Sequence, residues 1–223
     1  MEDCDLFRYA SFEERIPMTL QVGLIGSDGF VLASDTKASN GFGSTTTRKL
    51  ILVGPMVCAV SGDHILSTLG RKLIDAYKPE IVWSERAESI VEDLPLPSYK
   101  RSQLSGSLIF ALPEWDVFQE VSVTSGVVAS MPFNPAFGGD SPNLATYFCK
   151  AYYSSSKTVQ ELSVLAAHTI IEAARVNPSS IGGLEIVVGR KGEEARYLNE
   201  SELRFLRDKS GKVYQITENA IVG

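Results

Sequence analysis

The chain has 223 residues, 44% of them hydrophobic and 22% charged, a profile with enough length and apolar content for a large core. Its formal net charge of -6 and sequence pI near 5.1, with no run of Lys and Arg, argue against nucleic acid or an anionic membrane as the main partner. The longest apolar stretch, LILVGPMVCAV, is broken by Gly54 and Pro55 and is too short to span a bilayer.

The N-terminal MEDCDLFRYASFEERIP is acidic and lacks the apolar segment of a secretory signal. Residues 19–25 and 29–35 read as two strands joined by a Ser27-Asp28-Gly29 turn. KLILV (49–53) and MVCAV (56–60) form a second apolar pair. A helix is expected near 63–77, where Ile65, Leu66, Leu69, Leu73 and Tyr77 recur at helical spacing. A second is expected from Ser84 as N-cap, with Ala87, Ile90, Val91 and Leu94 on one face.

Strands return at 106–112, 117–123 and 126–130, rich in β-branched and aromatic residues. The glycine-bearing FGGDSPN then opens a third helix, with Ser141 as cap and Pro142 in its first turn. Thr158 and Glu161 have the spacing of a capping box for a fourth, which must end before Asn177-Pro178. Strands near 184–189 and 194–198 follow. Short connections between consecutive strands favour antiparallel pairing. Two helix pairs can cover two stacked sheets, so the expected fold is α+β, a four-layer αββα sandwich. No repeat or second domain is visible.

Most chemistry signatures are missing: there is no GxSxG, Walker sequence, GxGxxG or HExxH. With only His64 and His168, a Ser-His-Asp triad or a histidine-rich zinc site is not expected, and no cofactor or metal is assigned. Cys4, Cys58 and Cys149 are odd in number and widely spaced, which fits a reducing cytosol and a cytoplasmic location.

Three segments, TLQVGLIGSDGFVLASDTKAS, RKLILVGPMVCAVSGD and TVQELSVLAAHTIIEAARVNPSSIGG, together resemble proteasome-type subunits in the same order. The resemblance spans about residues 19–198. It implies the αββα fold of N-terminal-nucleophile hydrolases, agreeing with the element order. It also divides the chain into an N-terminal extension or leader (1–18) and a single domain (19–223). Peptide or unfolded protein would be the substrate, a ring-forming homo- or hetero-oligomer touching partly through the first helix pair the assembly, and an unfoldase a further partner.

In that family a threonine freed as the first residue is the nucleophile, and its own α-amino group can serve as base. An α-amino group titrates near pH 7.7–8.0 and so is partly free to take a proton at neutral pH. The resemblance places Thr19 as nucleophile, Lys49 as the neighbouring cation and Asp35 as the acid that holds it. Lys37 stands where the family carries arginine.

Other positions depart from the pattern. Met18 replaces the glycine before the nucleophile, and Gly139 replaces a serine. Pro178 and Ile181 replace an aspartate and a serine that orient the threonine amine, for which Ser180 or Asp140 are the nearest substitutes. Ala59 stands where a glycine supplies an oxyanion-hole N–H. The sequence therefore supports two readings, a threonine peptidase and a non-catalytic structural subunit. Hydrolysis of a small amide is a third, since a fold does not set its substrate.

Overall fold

A computed structural model describes residues 19–40, 43–139 and 144–222. The strands are β1 (Leu20–Ile25), β2 (Gly29–Ser34), β3 (Lys37–Asn40), β4 (Gly43–Thr46), β5 (Leu50–Val53), β6 (Met56–Gly62), β7 (Gly106–Ala111), β8 (Phe118–Thr124), β9 (Val127–Phe133), β10 (Ala136–Gly139), β11 (Glu185–Arg190) and β12 (Arg196–Tyr197). The helices are α1 (Leu66–Asp75), α2 (Trp83–Glu92), α3 (Ser98–Arg101), α4 (Leu144–Tyr152), α5 (Val159–Val176) and α6 (Glu200–Val222). The class is α+β with antiparallel sheets. One sheet runs β10-β1-β2-β11-β12, the other β5-β6-β7-β8-β9, and β3-β4 is a separate hairpin.

Strand alternation explains the packing. On the first sheet Leu20, Val22, Leu24, Val31, Ala33, Ile186 and Val188 face α5, which presents Leu162, Ala166, Ile170 and Ala173. On the second, Cys58, Leu108, Phe110 and Val121 pack with Leu66, Leu69 and Leu73 of α1 and with Ala87 and Ile90 of α2. The opposite faces of the two sheets meet: Phe30, Leu32 and Val187 pack with Leu50, Val57, Ile109 and Phe118. Phe30 and Phe118 stand edge to face, 6.2 Å between centroids.

The Asp28 carboxylate accepts from the Val159 N–H, tying the β1–β2 turn to the start of α5. Thr158 and Glu161 form the reciprocal capping box expected from their spacing.

Several elements differ from the sequence reading. Ser84 lies inside the first turn of α2, not at its cap, because the helix starts early enough to bury Trp83 against Phe110, Tyr77 and Trp115. The glycine-bearing break holds a short strand, β10, which pairs with β1. The exposed hairpin β3–β4, between the expected second and third strands, was not read from the sequence. Ser141, Pro142 and Asp140 lie outside the described residues.

The chain does not close on strands: α6 follows them. Leu203, Leu206 and Ser210 are among its few buried residues, too sparse for an apolar stripe. Its signal lay in Asn199-x-x-Glu202, where each side chain accepts from the other residue's backbone N–H.

Candidate active site

Asp35 follows β2 and Lys49 precedes β5, so the two sheets bring them together from opposite sides of the interior. Lys49 Nζ donates to Asp35 Oδ1 at 2.8 Å, with Asp35 0% and Lys49 9% exposed. The same Oδ1 accepts from the Leu20 N–H at 3.0 Å, and Oδ2 accepts from the Lys37 N–H at 3.1 Å. The carboxylate thus links the ammonium directly to the peptide that joins Thr19 to Leu20. Thr19 itself is buried, at the head of β1.

Burial raises the Asp35 carboxyl and lowers the Lys49 ammonium from their ordinary values, against the pull of the pairing. Three N–H donors converge on Asp35, an arrangement that an ionised carboxylate accepts best.

The other family positions fall as follows. Lys37 Nζ donates to the Pro178 carbonyl at 2.6 Å and forms no ion pair with a carboxylate among the described residues. Gly139 pairs with Leu20 at φ +73°, and a Cβ there would sit 1.7 Å from the Thr19 carbonyl oxygen. No residue with a side chain, serine included, fits there without moving the chain. Ile181 points into the core against α5 and supplies no hydroxyl. Ser180 is half-buried and bonds to the Asn177 carbonyl and the Ser179 hydroxyl. Ala59 lies in the middle of β6, paired with Leu50 on one side and Ile109 on the other.

The sequence reading missed a polar layer between the sheets. Gln21, Ser34 and Glu185 are successive cross-strand neighbours on β1, β2 and β11. Ser61 and Ser107 face them from the second sheet, their hydroxyls 2.9 Å apart. A Cβ on Gly138 would lie 2.4 Å from Gln21 Oε1 and 3.2 Å from Ser107 Oγ, so these polar ends share the space over that glycine. Both amide atoms of Gln21 and Oε2 of Glu185 are buried without a hydrogen-bond partner among the described residues. Glu185 was legible in principle: it is a lone acid opening the run EIVVG, whose two faces are both apolar.

Glu185 Oε1 accepts from the N–H groups of both Lys49 and Leu50. Burial nonetheless pushes its carboxyl from 4.5 up to about 7. The folded state therefore holds this proton more tightly than the unfolded chain. Its contribution to stability is complete below about pH 4.5 and is lost as pH rises to about 7. Urea titrations should show Glu185→Gln removing that fall, of about 3 kcal/mol.

A cleft of about 230 Å³ is lined by Thr36, Lys37, Ser44, Thr45, Thr46, Gly182 and Gly183, and Thr19, Asp35 and Lys49 are not among its lining residues. A larger cavity, about 450 Å³, lies between α5, β11–β12 and α6 and touches none of Thr19, Asp35 and Lys49. Among the described residues, no group of three or more His, Cys, Asp or Glu is placed to hold a metal ion. No helix there is long and apolar enough to cross a membrane.

The fold has counterparts among solved structures. The Gly-1 mutant of Anbu from Hyphomicrobium sp. strain MC1 superposes with a TM-score of 0.69 at 13% identity, covering 91% of this chain and 96% of that one. Anbu from Yersinia bercovieri, described as an ancestral beta-subunit, gives 0.68 at 14% identity over 92% and 97%. A further Hyphomicrobium sp. strain MC1 Anbu structure gives 0.67 at 14%, over 91% and 96%.

The fold is shared with Anbu.

No protein-family description matches the chain, and no curated protein does. The assignment to proteasome-type subunits is therefore corrected: these structural counterparts are Anbu chains, and at 13–14% identity they speak for the backbone path. The physical reason lies in the segments that carried the resemblance. The SDG turn, the SGD step and the GG pair are what this backbone needs at its sharp bends. Gly183, for example, has φ +70° and packs against Thr36. Such segments report a fold more strongly than membership of one family within it.

Proposed function

We propose that this chain is an Anbu-like subunit that hydrolyses peptide bonds with Thr19 as nucleophile, once Thr19 becomes the N-terminal residue. The observation that carries the reading is Asp35 Oδ1, which holds the Lys49 ammonium and the Leu20 amide on one atom. That shared contact anchors a buried cation next to the threonine. The freed α-amino group would take the hydroxyl proton as the oxygen attacks the substrate carbonyl, then pass it to the departing amine as the peptide C–N bond breaks; water, giving its proton to the same amine, would hydrolyse the resulting ester and release the acid product. The nearby ammonium would favour the anionic oxygen over the neutral hydroxyl.

In this reading residues 1–18 are a leader and 19–223 form one four-layer αββα domain. Its support is the three cores: helix on sheet, sheet on sheet, and sheet on helix. The two buried free thiols, Cys58 and Cys149, suit a cytoplasmic setting. Association with further copies or related subunits is supported by α4, where Leu144, Tyr147, Phe148 and Tyr152 are all exposed. That surface is proposed as a contact in addition to the first helix pair. Light scattering should give a mass well above the 24.3 kDa of one chain; a monomer at micromolar concentration would refute the assembly.

A specific observation keeps the non-catalytic reading in play. Gly139, Pro178 and Ile181 bring neither hydroxyl nor carboxylate to the threonine amine, and Gly139 leaves no room for one. Intact mass and a fluorogenic peptide decide between the readings. The peptidase predicts a species beginning at Thr19 that turns the peptide over. A protein that keeps residues 1–18 and hydrolyses nothing is a structural subunit.

A further inference from the structure

We propose that Glu185 is a positioning residue for Lys49: a second, switchable carboxyl, buried between the sheets, whose proton sets the charge of the layer holding the Asp35–Lys49 pair. This deepens the Thr19 reading and rests on it for the use to which Lys49 is put, though not for the geometry itself.

Glu185 Oε1 accepts from two successive amides, Lys49 and Leu50. These two bonds hold the entry to β5, the backbone from which the Lys49 side chain departs toward Asp35. The entry is pinned again by the Tyr197 hydroxyl, which donates to the Leu50 carbonyl at 2.6 Å, and by the Val60 N–H on the Lys49 carbonyl. Oε2 is buried and has no partner among the described residues. With Oε1 occupied by two amides, Oε2 is the oxygen left to carry a proton.

Charge then limits the cluster. The groups near Glu185 that carry or can change charge are Lys49 and Arg48 at the head of β5, Asp35 after β2 and Tyr197 on β12. Arg48 is drawn off over the Tyr197 ring, 4.9 Å from its centroid. One buried ammonium therefore serves two buried carboxyls. With Glu185 protonated, Asp35 and Lys49 balance each other. With Glu185 ionised, the layer carries an excess negative charge and the ammonium is held more firmly as a cation. Glu185 thus governs how readily Lys49 releases a proton, without itself touching substrate.

The test uses the full chain with 13C-lysine and 15N-amide labels, followed by NMR between pH 5 and 9. In the wild type, the Lys49 Cε signal and the Lys49 and Leu50 amides should move together with one midpoint near pH 7, where burial places the Glu185 proton. Glu185→Gln, which keeps an acceptor oxygen for the two amides, should abolish that shared step. Absence of the step in the wild type, or its persistence in the variant, overturns the proposal. If Glu185→Gln does not fold, the wild-type titration still decides, because only a carboxyl bonded to both amides moves them with a common midpoint. A protein that shows the step yet hydrolyses no peptide refutes the Thr19 reading and leaves the Glu185–Lys49 link standing.

Discussion

The Thr19→Ala variant is expected to lose turnover of a fluorogenic peptide by roughly 10³-fold or more, because removal of the attacking oxygen leaves only binding and orientation. The fold should survive the change: Thr19 precedes β1, and the Leu20 amide bond to Asp35 does not involve its side chain. A circular dichroism melt of the variant separates lost chemistry from lost structure. With residues 1–18 attached, the Thr19 nitrogen is an amide and cannot accept a proton, so the unprocessed wild type should be as inactive as the variant. Once Thr19 is exposed, the rate should rise with pH through about 7.7–8.0 as its amine loses a proton. Equal turnover in wild type and Thr19→Ala would remove the threonine from the mechanism.

Lys49→Met should destabilise the domain by about 3–5 kcal/mol, since it strands the Asp35 carboxylate at a position with no exposed surface. Most of that loss is the desolvation of the charge left behind. Asp35 would keep its bonds from the Leu20 and Lys37 amides, which soften the loss without replacing the ammonium. Removing both charges in an Asp35→Leu/Lys49→Met double variant should cost less than adding the single effects, because no buried ion is left alone. Urea titrations of the three proteins measure this. A single-variant change below about 0.5 kcal/mol would place the pair in solvent-like surroundings.

The elements that the sequence alone determined are those whose information is local. The β1–β2 hairpin shows in two apolar runs around Ser27-Asp28-Gly29, and α5 in its capping box and the Asn177-Pro178 stop. Short connections between consecutive strands were enough to indicate antiparallel pairing. Thr19, Asp35 and Lys49 were picked out by resemblance rather than periodicity, and the acid and the lysine do meet at 2.8 Å. Helix α6 escaped because few of its described residues are buried, and what it does bury depends on its docking on α5. His168 Nδ1, for instance, lies 2.8 Å from the buried Ser210 hydroxyl.

Only the tertiary structure decided the surroundings of the pair. Gln21 and Ser34 pair within one hairpin, but Glu185 is distant in the chain, and the row is completed only because β11 inserts beside β2 in that register. Ser61 and Ser107 join it only when the second sheet closes over the first. Ile181 turns toward α5 in the core on the other face of the first sheet, which only the packing reveals. Spacing along a chain can place a carboxylate at a strand end. Which charge it meets, and how little water it keeps, depends on the face that the opposing sheet presents. Glu185 shows this most directly: one acid in an apolar strand becomes a neutral-range titrating group only when two sheets bury it over the amides of Lys49 and Leu50.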